Sequence, residues 1–178
     1  MRYEEIYELS PMWNGGELKW HHKRQPDYRF RENGYGFRCC YCRAFVHTLP
    51  MLAGVKNRNH CPYCLWSRHV DLLQAGDRMS ACKAIMQPIG LTVKQGRNKY
   101  GNYRSGELML IHRCYECGKL STNRIAADDI PDQLMDIFQA SAGLDAQTQH
   151  QLEASGIRLL QGEDANLVIS QLRGIAVN

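Results

Sequence analysis

The chain has 178 residues, enough for one ordinary domain with extensions or for two small ones. No run approaches the roughly eighteen apolar residues of a membrane span, which excludes a transmembrane helix. The net charge of +4 hides an asymmetry: Lys19 to Arg124 holds 19 Lys/Arg against 6 Asp/Glu, or +13, whereas Asp128 to Asn178 holds 2 against 8, or −6.

The opening MRYEEIYELS is mixed in charge and lacks an apolar centre, so it predicts no secretory signal and a cytoplasmic location. In that compartment eight cysteines point to metal binding or redox work rather than disulfides. Residues 1–36 read as an irregular basic and aromatic arm, broken by Pro26, Gly34 and Gly36. Residues 37–129 hold all the cysteines. Within them IGLTVKQ and ELMLIHR read as strands, and GRNKYGNYRSG between them reads as a long hairpin loop. Residues 130–178 read as an acidic helical region. Pro131 marks the start and Gly143 the end of one helix, Asp145 caps a second, and EDANLVISQLRGIAV gives a third. FRCCYC and HRCYEC echo one another, each followed later by Asn-Arg (Asn57-Arg58 and Asn123-Arg124).

Three C-x-x-C pairs, Cys39/Cys42, Cys61/Cys64 and Cys114/Cys117, have the spacing of a tight turn whose amides face both sulfurs. Gly118 supplies the backbone freedom such a turn uses. The first two pairs make a four-cysteine zinc site. The third pair takes Cys82 as a further ligand and needs a histidine. His69 is favoured because His69 and Cys82 bracket a loop that can return to the Cys114/Cys117 turn. His112 remains the alternative, since positions i and i+2 of a strand face the same way. His60 is expected to point away from the metal, as a supporting or surface group, and Cys40 is the leftover thiol. Two zinc ions saturated by protein ligands are structural rather than catalytic. The expected fold is α+β: a small zinc-ribbon-like domain with short strands and two zinc knuckle sites, plus a C-terminal helical region.

FRCCYC, NRNHCPYCLWSRHVD, GDRMSAC, IHRCYECG and NRIAADD, in this order, resemble the RNHCP-domain family, whose name is spelled by Arg58-Asn59-His60-Cys61-Pro62. The resemblance covers roughly residues 37–130. It implies a small zinc-binding domain and supplies no reaction.

The basic middle, still near about +10 after two zinc sites are filled, predicts a non-enzymatic protein that binds structured RNA or a ribonucleoprotein such as the ribosome. Candidate contacts are Lys19, Trp20, Lys23, Arg24, Arg29 and Arg31 in the arm. Arg97, Lys99, Tyr100, Tyr103 and Arg104 follow at the hairpin tip, and Lys56, Arg58 and Arg68 are expected to project from the zinc-fixed turn. One alternative is a metal-dependent nuclease using His60 with Asp128 and Asp129. Another is an adaptor whose acidic C-terminal region docks a protein partner or folds back on the basic core. A third, minor one is redox sensing through Cys40.

Overall fold

The computed structural model describes residues 36–94 and 106–174. The arm contacts Lys19, Trp20, Lys23, Arg24, Arg29 and Arg31 lie outside the described residues, as do Arg97, Lys99, Tyr100, Tyr103 and Arg104 of the hairpin loop and Ile175 of the last helical stretch. The fold is mixed α+β. Strands β1 (Gly36–Arg38) and β2 (Phe45–His47) pair as a small antiparallel hairpin, followed by the one-turn helix α1 (Pro50–Ala53). Strands β3 (Ser67–Arg68), β4 (Ile85–Lys94), β5 (Glu107–Cys114) and β6 (Leu120–Arg124) form a four-stranded antiparallel sheet in sequence order. Helices α2 (Pro131–Ala140), α3 (Ala146–Ala154) and α4 (Ala165–Arg173) complete the described chain.

The expected β4–β5 hairpin is present, with Leu91 opposite Leu110 and Lys94 opposite Glu107. Its register shifts between Pro88 and Gly90, the position where a strand tolerates a proline that cannot donate to the ladder. Strand β5 is a continuous apolar run because both of its faces are covered. Leu108 and Leu110 pack with Leu91, with Leu134 and Phe138 of α2 and with Val168 of α4. Ile111 packs with Ile89 and Leu152 of α3. The acidic helices therefore fold back on the sheet and spend their apolar faces there. Pro131 stands at the first turn of α2. Asp145 caps α3 by accepting from the Thr148 amide at 2.8 Å. Gly174 closes α4 in the left-handed conformation.

Each C-x-x-C pair is the tip of a hairpin. The first joins β1 to β2, the third joins β5 to β6, and the second lies between His60 and Ser67, which pair as an isolated antiparallel bridge. In all three, the amide of the first cysteine donates to the carbonyl two residues past the second: Cys39 to Ala44 at 2.9 Å, Cys61 to Trp66 at 3.0 Å and Cys114 to Lys119 at 2.9 Å. The residue directly after the second cysteine has positive φ each time, namely Arg43 (65°), Leu65 (62°) and Gly118 (70°). Lys83, directly after Cys82, does so as well (52°). One turn is thus built three times. The echo of FRCCYC and HRCYEC is the sequence trace of two of its copies.

Candidate metal centres

The three turns converge on two clusters. Cys39, Cys42, Cys61 and Cys64 form one, and His69, Cys82, Cys114 and Cys117 form the other; within each, the four donor atoms lie within 4.8 Å of one another. In the first, Cys39 and Cys64 sulfurs are 3.5 Å apart and Cys42 and Cys61 sulfurs 3.6 Å. In the second, Cys82 and Cys114 sulfurs are 3.7 Å apart, and His69 Nδ1 is 3.3 Å from Cys117 Sγ. Sulfurs at the corners of a tetrahedron with metal–sulfur bonds of about 2.3 Å stand roughly 3.8 Å apart, whereas a disulfide needs about 2.0 Å. The donor sets therefore fit a tetrahedral thiophilic cation, and these cysteines are not disulfides.

The electrostatics agree with that fit. Hydrogen bonds from Cys40, Cys61 and Cys64 pull the Cys39 thiol far below its usual range. The Cys61 thiol is pushed up to about 12 by its bond to Cys39, together with burial. Burial raises Cys114 to about 11. The protons left on the raised thiols are those a divalent cation would displace, as thiolate ligation requires. Cys40 belongs to neither cluster. Its thiol lies 3.5 Å from the Ser67 carbonyl, and its pKa is raised by the bond to Cys39 and by burial.

The histidines separate cleanly. His69 joins the second cluster through Nδ1. His112, the alternative ligand, is fully buried in β5 and saturated elsewhere: Nε2 donates to the Leu65 carbonyl at 2.7 Å and Nδ1 accepts from the Asn123 amide nitrogen at 2.9 Å. Burial and neighbouring His60 lower its pKa to about 3, so it is neutral. His60 is no surface group. Its side chain is buried, and Nε2 lies 2.7 Å from Asp129 Oδ2.

Arg58 requires a correction. It does not project into solvent; it is 2% exposed. Nη1 donates to both oxygens of Asp128 at 2.6 and 2.7 Å, Nη2 to Asp129 Oδ1 at 3.1 Å, and Nε to the His60 carbonyl at 3.1 Å. The Ala126 amide completes Asp129 by donating to Oδ2 at 2.7 Å. A buried guanidinium is tolerable only where carboxylates neutralise it, and the Asp128-Asp129 pair before α2 supplies them. Arg58 is thus a cross-link between the second knuckle and the start of α2. Arg68 is also partly buried, with Nη1 donating to the Lys83 carbonyl at 2.9 Å. Of the three cations expected on the turn, Lys56 is exposed.

The same network removes the chemistry of a nuclease site. His60 and Asp129 do meet, but both side chains are buried and Arg58 occupies the carboxylates that a divalent cation would need.

The sequence reading missed a further feature. Tyr41, in the first knuckle, stacks on Trp66 with ring centroids 4.3 Å apart and planes within 1°. Trp66 stacks on Tyr115, in the third knuckle, at 5.8 Å and 21°. The signal was there to read: each C-x-x-C pair encloses a tyrosine (Tyr41, Tyr63 and Tyr115).

Residues 34–135, more than half of the chain, match the family model described as the RNHCP domain. The chain belongs to the RNHCP domain family. The match begins just before β1 and ends inside α2, so it takes in both clusters and the Arg58 cross-link. No curated protein matches the chain, and no solved structure does. In structural terms, the residues that spell RNHCP each have a task. Arg58 and His60 bind the Asp128-Asp129 pair, Cys61 is a donor of the first cluster, and the Pro62 carbonyl accepts from the Ile130 amide at 3.4 Å. Asn59 donates to Asp71 Oδ2 at 2.9 Å and accepts from Arg78. Among the described residues no helix is long and apolar enough to cross a membrane.

Proposed function

We propose that this RNHCP-domain protein is a cytoplasmic, non-enzymatic, zinc-ribbon-like module that carries two zinc ions and binds structured RNA or a ribonucleoprotein, including the ribosome. The observation that carries the reading is the pair of complete four-donor clusters built from repeated knuckle turns. Four protein donors at each leave no position for a reacting water, as expected of structural zinc. Zinc would act as a cross-link, contributing on the order of 10–16 kcal/mol of apparent binding energy to folding. That cross-link offsets the left-handed conformations of Arg43, Leu65 and Lys83, each unfavourable by roughly 1–2 kcal/mol.

Support for the RNA part comes from charge. Cations border both clusters: Arg43 and Lys83 are exposed beside Cys42 and Cys82, and Lys119 is half-buried beyond Cys117. They belong to the stretch with a formal surplus of +13 between Lys19 and Arg124. Such a surface neutralises phosphates and releases counterions. The acidic helices pack their apolar sides on the sheet.

Two measurements test the reading. Elemental analysis of purified protein should give two zinc equivalents, and one or none would defeat the two-site assignment. Sedimentation of a native lysate should place the protein with large particles that RNase disperses. Migration as a free small protein with and without RNase would defeat the RNA assignment.

A further inference from the structure

The ladder Tyr41–Trp66–Tyr115 joins the two metal centres across their surface. Tyr41 lies between Cys39 and Cys42 of the first cluster, and Tyr115 lies between Cys114 and Cys117 of the second. Trp66 sits between them in the short link from Cys64 to His69. Tyr41 is 47% exposed and Tyr115 59% exposed, although each already has Trp66 against one side. Burial therefore does not account for the stack, and about half of each tyrosine remains open to solvent.

We propose that the outer faces of Tyr41 and Tyr115 are stacking platforms for unpaired nucleobases, so that a single-stranded segment of the RNA caps the ladder at one or both ends. This rests on the RNA reading above and assigns it a site. Four observations favour bases as the occupant. The rings are nearly parallel, which presents flat faces and not the crossed walls of a cage for a cation. The spacings of 4.3 and 5.8 Å are too small to admit a guest between the rings, since a sandwiched base needs about 7 Å, twice the contact distance. Only end-on stacking is left. The rings ride on turns pinned by the clusters, so little freedom is lost when a base lands on them. Finally, exposed Arg43 follows the first knuckle, and near the second centre Lys83 and Lys119, whose ammonium groups also donate to the carbonyls of Val70 and Arg78 and of Leu72, add positive charge for a strand's phosphates. Exposed Glu116, beside Tyr115, is the acidic neighbour that phosphate must avoid.

Stacking on aromatic rings is sequence-tolerant, because every base has a π face. The occupant class is therefore an unpaired strand without strong sequence preference, which distinguishes this site from groove recognition of a duplex.

The test uses the full-length protein and fluorescence anisotropy with two labelled probes of equal length, an oligoadenosine and an abasic oligonucleotide with the same backbone. The native protein should bind the base-bearing probe more tightly. Tyr41→Ala and Tyr115→Ala should each weaken that binding by about tenfold and leave abasic binding within about twofold. Tyr41→Phe and Tyr115→Phe, which keep the ring, should bind like the native protein, and unchanged zinc content in every variant shows that the turns are intact. If the native protein binds both probes alike, or the alanine variants bind oligoadenosine normally, the ladder proposal is overturned while RNA binding stands. If neither probe nor a folded RNA binds even at low salt, both readings fall. If a polyproline peptide is the ligand whose affinity drops in the alanine variants while RNA affinity does not, the ladder belongs to a protein contact and the proposal is overturned.

Discussion

Replacing Arg58 with alanine separates a structural cross-link from a nucleic-acid contact, because the two roles predict opposite results. The substitution strands two carboxylates unequally. The Asp128 side chain is 40% exposed and regains water. The Asp129 side chain is fully buried and keeps only the Ala126 amide and His60 as partners. Removing one member of a buried ion pair costs about 3–5 kcal/mol. Two surviving partners on Asp129 place Arg58→Ala near the lower end, about 3 kcal/mol, a large part of the roughly 5–15 kcal/mol that holds a domain together. Asp128→Ala should cost about 1 kcal/mol or less, as for an ion pair open to water. Arg58→Lys should recover only part, since one ammonium cannot reach Asp128, Asp129 and the His60 carbonyl together. Urea unfolding at fixed free zinc measures all three, with the m-value checked for constancy. An Arg58→Ala midpoint within about 0.5 kcal/mol of native, combined with weakened RNA binding, would refute the cross-link and return Arg58 to the surface.

The cysteine assignments predict that Cys61→Ser loses one zinc equivalent and unfolds much of the knuckle region, whereas Cys40→Ser keeps two equivalents, both read by elemental analysis. His69→Ala should surrender one equivalent to a chromogenic chelator at low concentration. His112→Ala should keep both and cost about 2–4 kcal/mol, because it leaves a cavity and unpairs the Leu65 carbonyl and Asn123. Asp77 accepts from the amides of Gln74, Leu72, Met79 and Leu73, and these bonds hold its carboxyl well below the usual carboxylate range. Since the folded value is below the unfolded one, this clamp is fully present above the ordinary aspartate value of about 4 and fades as pH falls through the lowered folded value. Asp77→Asn should accordingly speed hydrogen exchange at those amides at neutral pH without altering zinc content.

The ligand framework was legible because its signal is local. A C-x-x-C pair specifies its own turn, and Gly118 marks the left-handed residue that closes one of them. The long strands and the helix starts at Pro131 and Asp145 were legible for the same reason. The buried network was not. Arg58 and the Asp128-Asp129 pair are about seventy residues apart, and apart they read as an RNA contact and a catalytic pair. Only their meeting shows that each neutralises the other. The i, i+2 spacing left His112 open as a ligand, but the strand turns its ring toward the Leu65 carbonyl. Strand β6, LSTNR, has no apolar alternation to announce it, and β1 and β2 are too short for any period to register.

The two metal centres are not independent modules strung on a linker. Cys64 belongs to the first and His69 to the second, so the short segment Leu65–Arg68 is pulled from both ends. Each of its residues is also held laterally. Leu65 is buried in the main core and takes the His112 hydrogen bond; Trp66 closes the second knuckle and stacks between two tyrosines. Ser67 bonds to the Asn59 carbonyl and pairs with Met86, and Arg68 pairs with Ile85. From the other side, Arg58, His60 and Pro62 fasten the same knuckle to the approach of α2. Metal bound at one centre would therefore order the backbone that positions a donor of the other. A chain with left-handed Arg43, Leu65 and Lys83 directly after its cysteines obtains its definition from this shared segment, and the aromatic ladder inherits its rigidity from the same source.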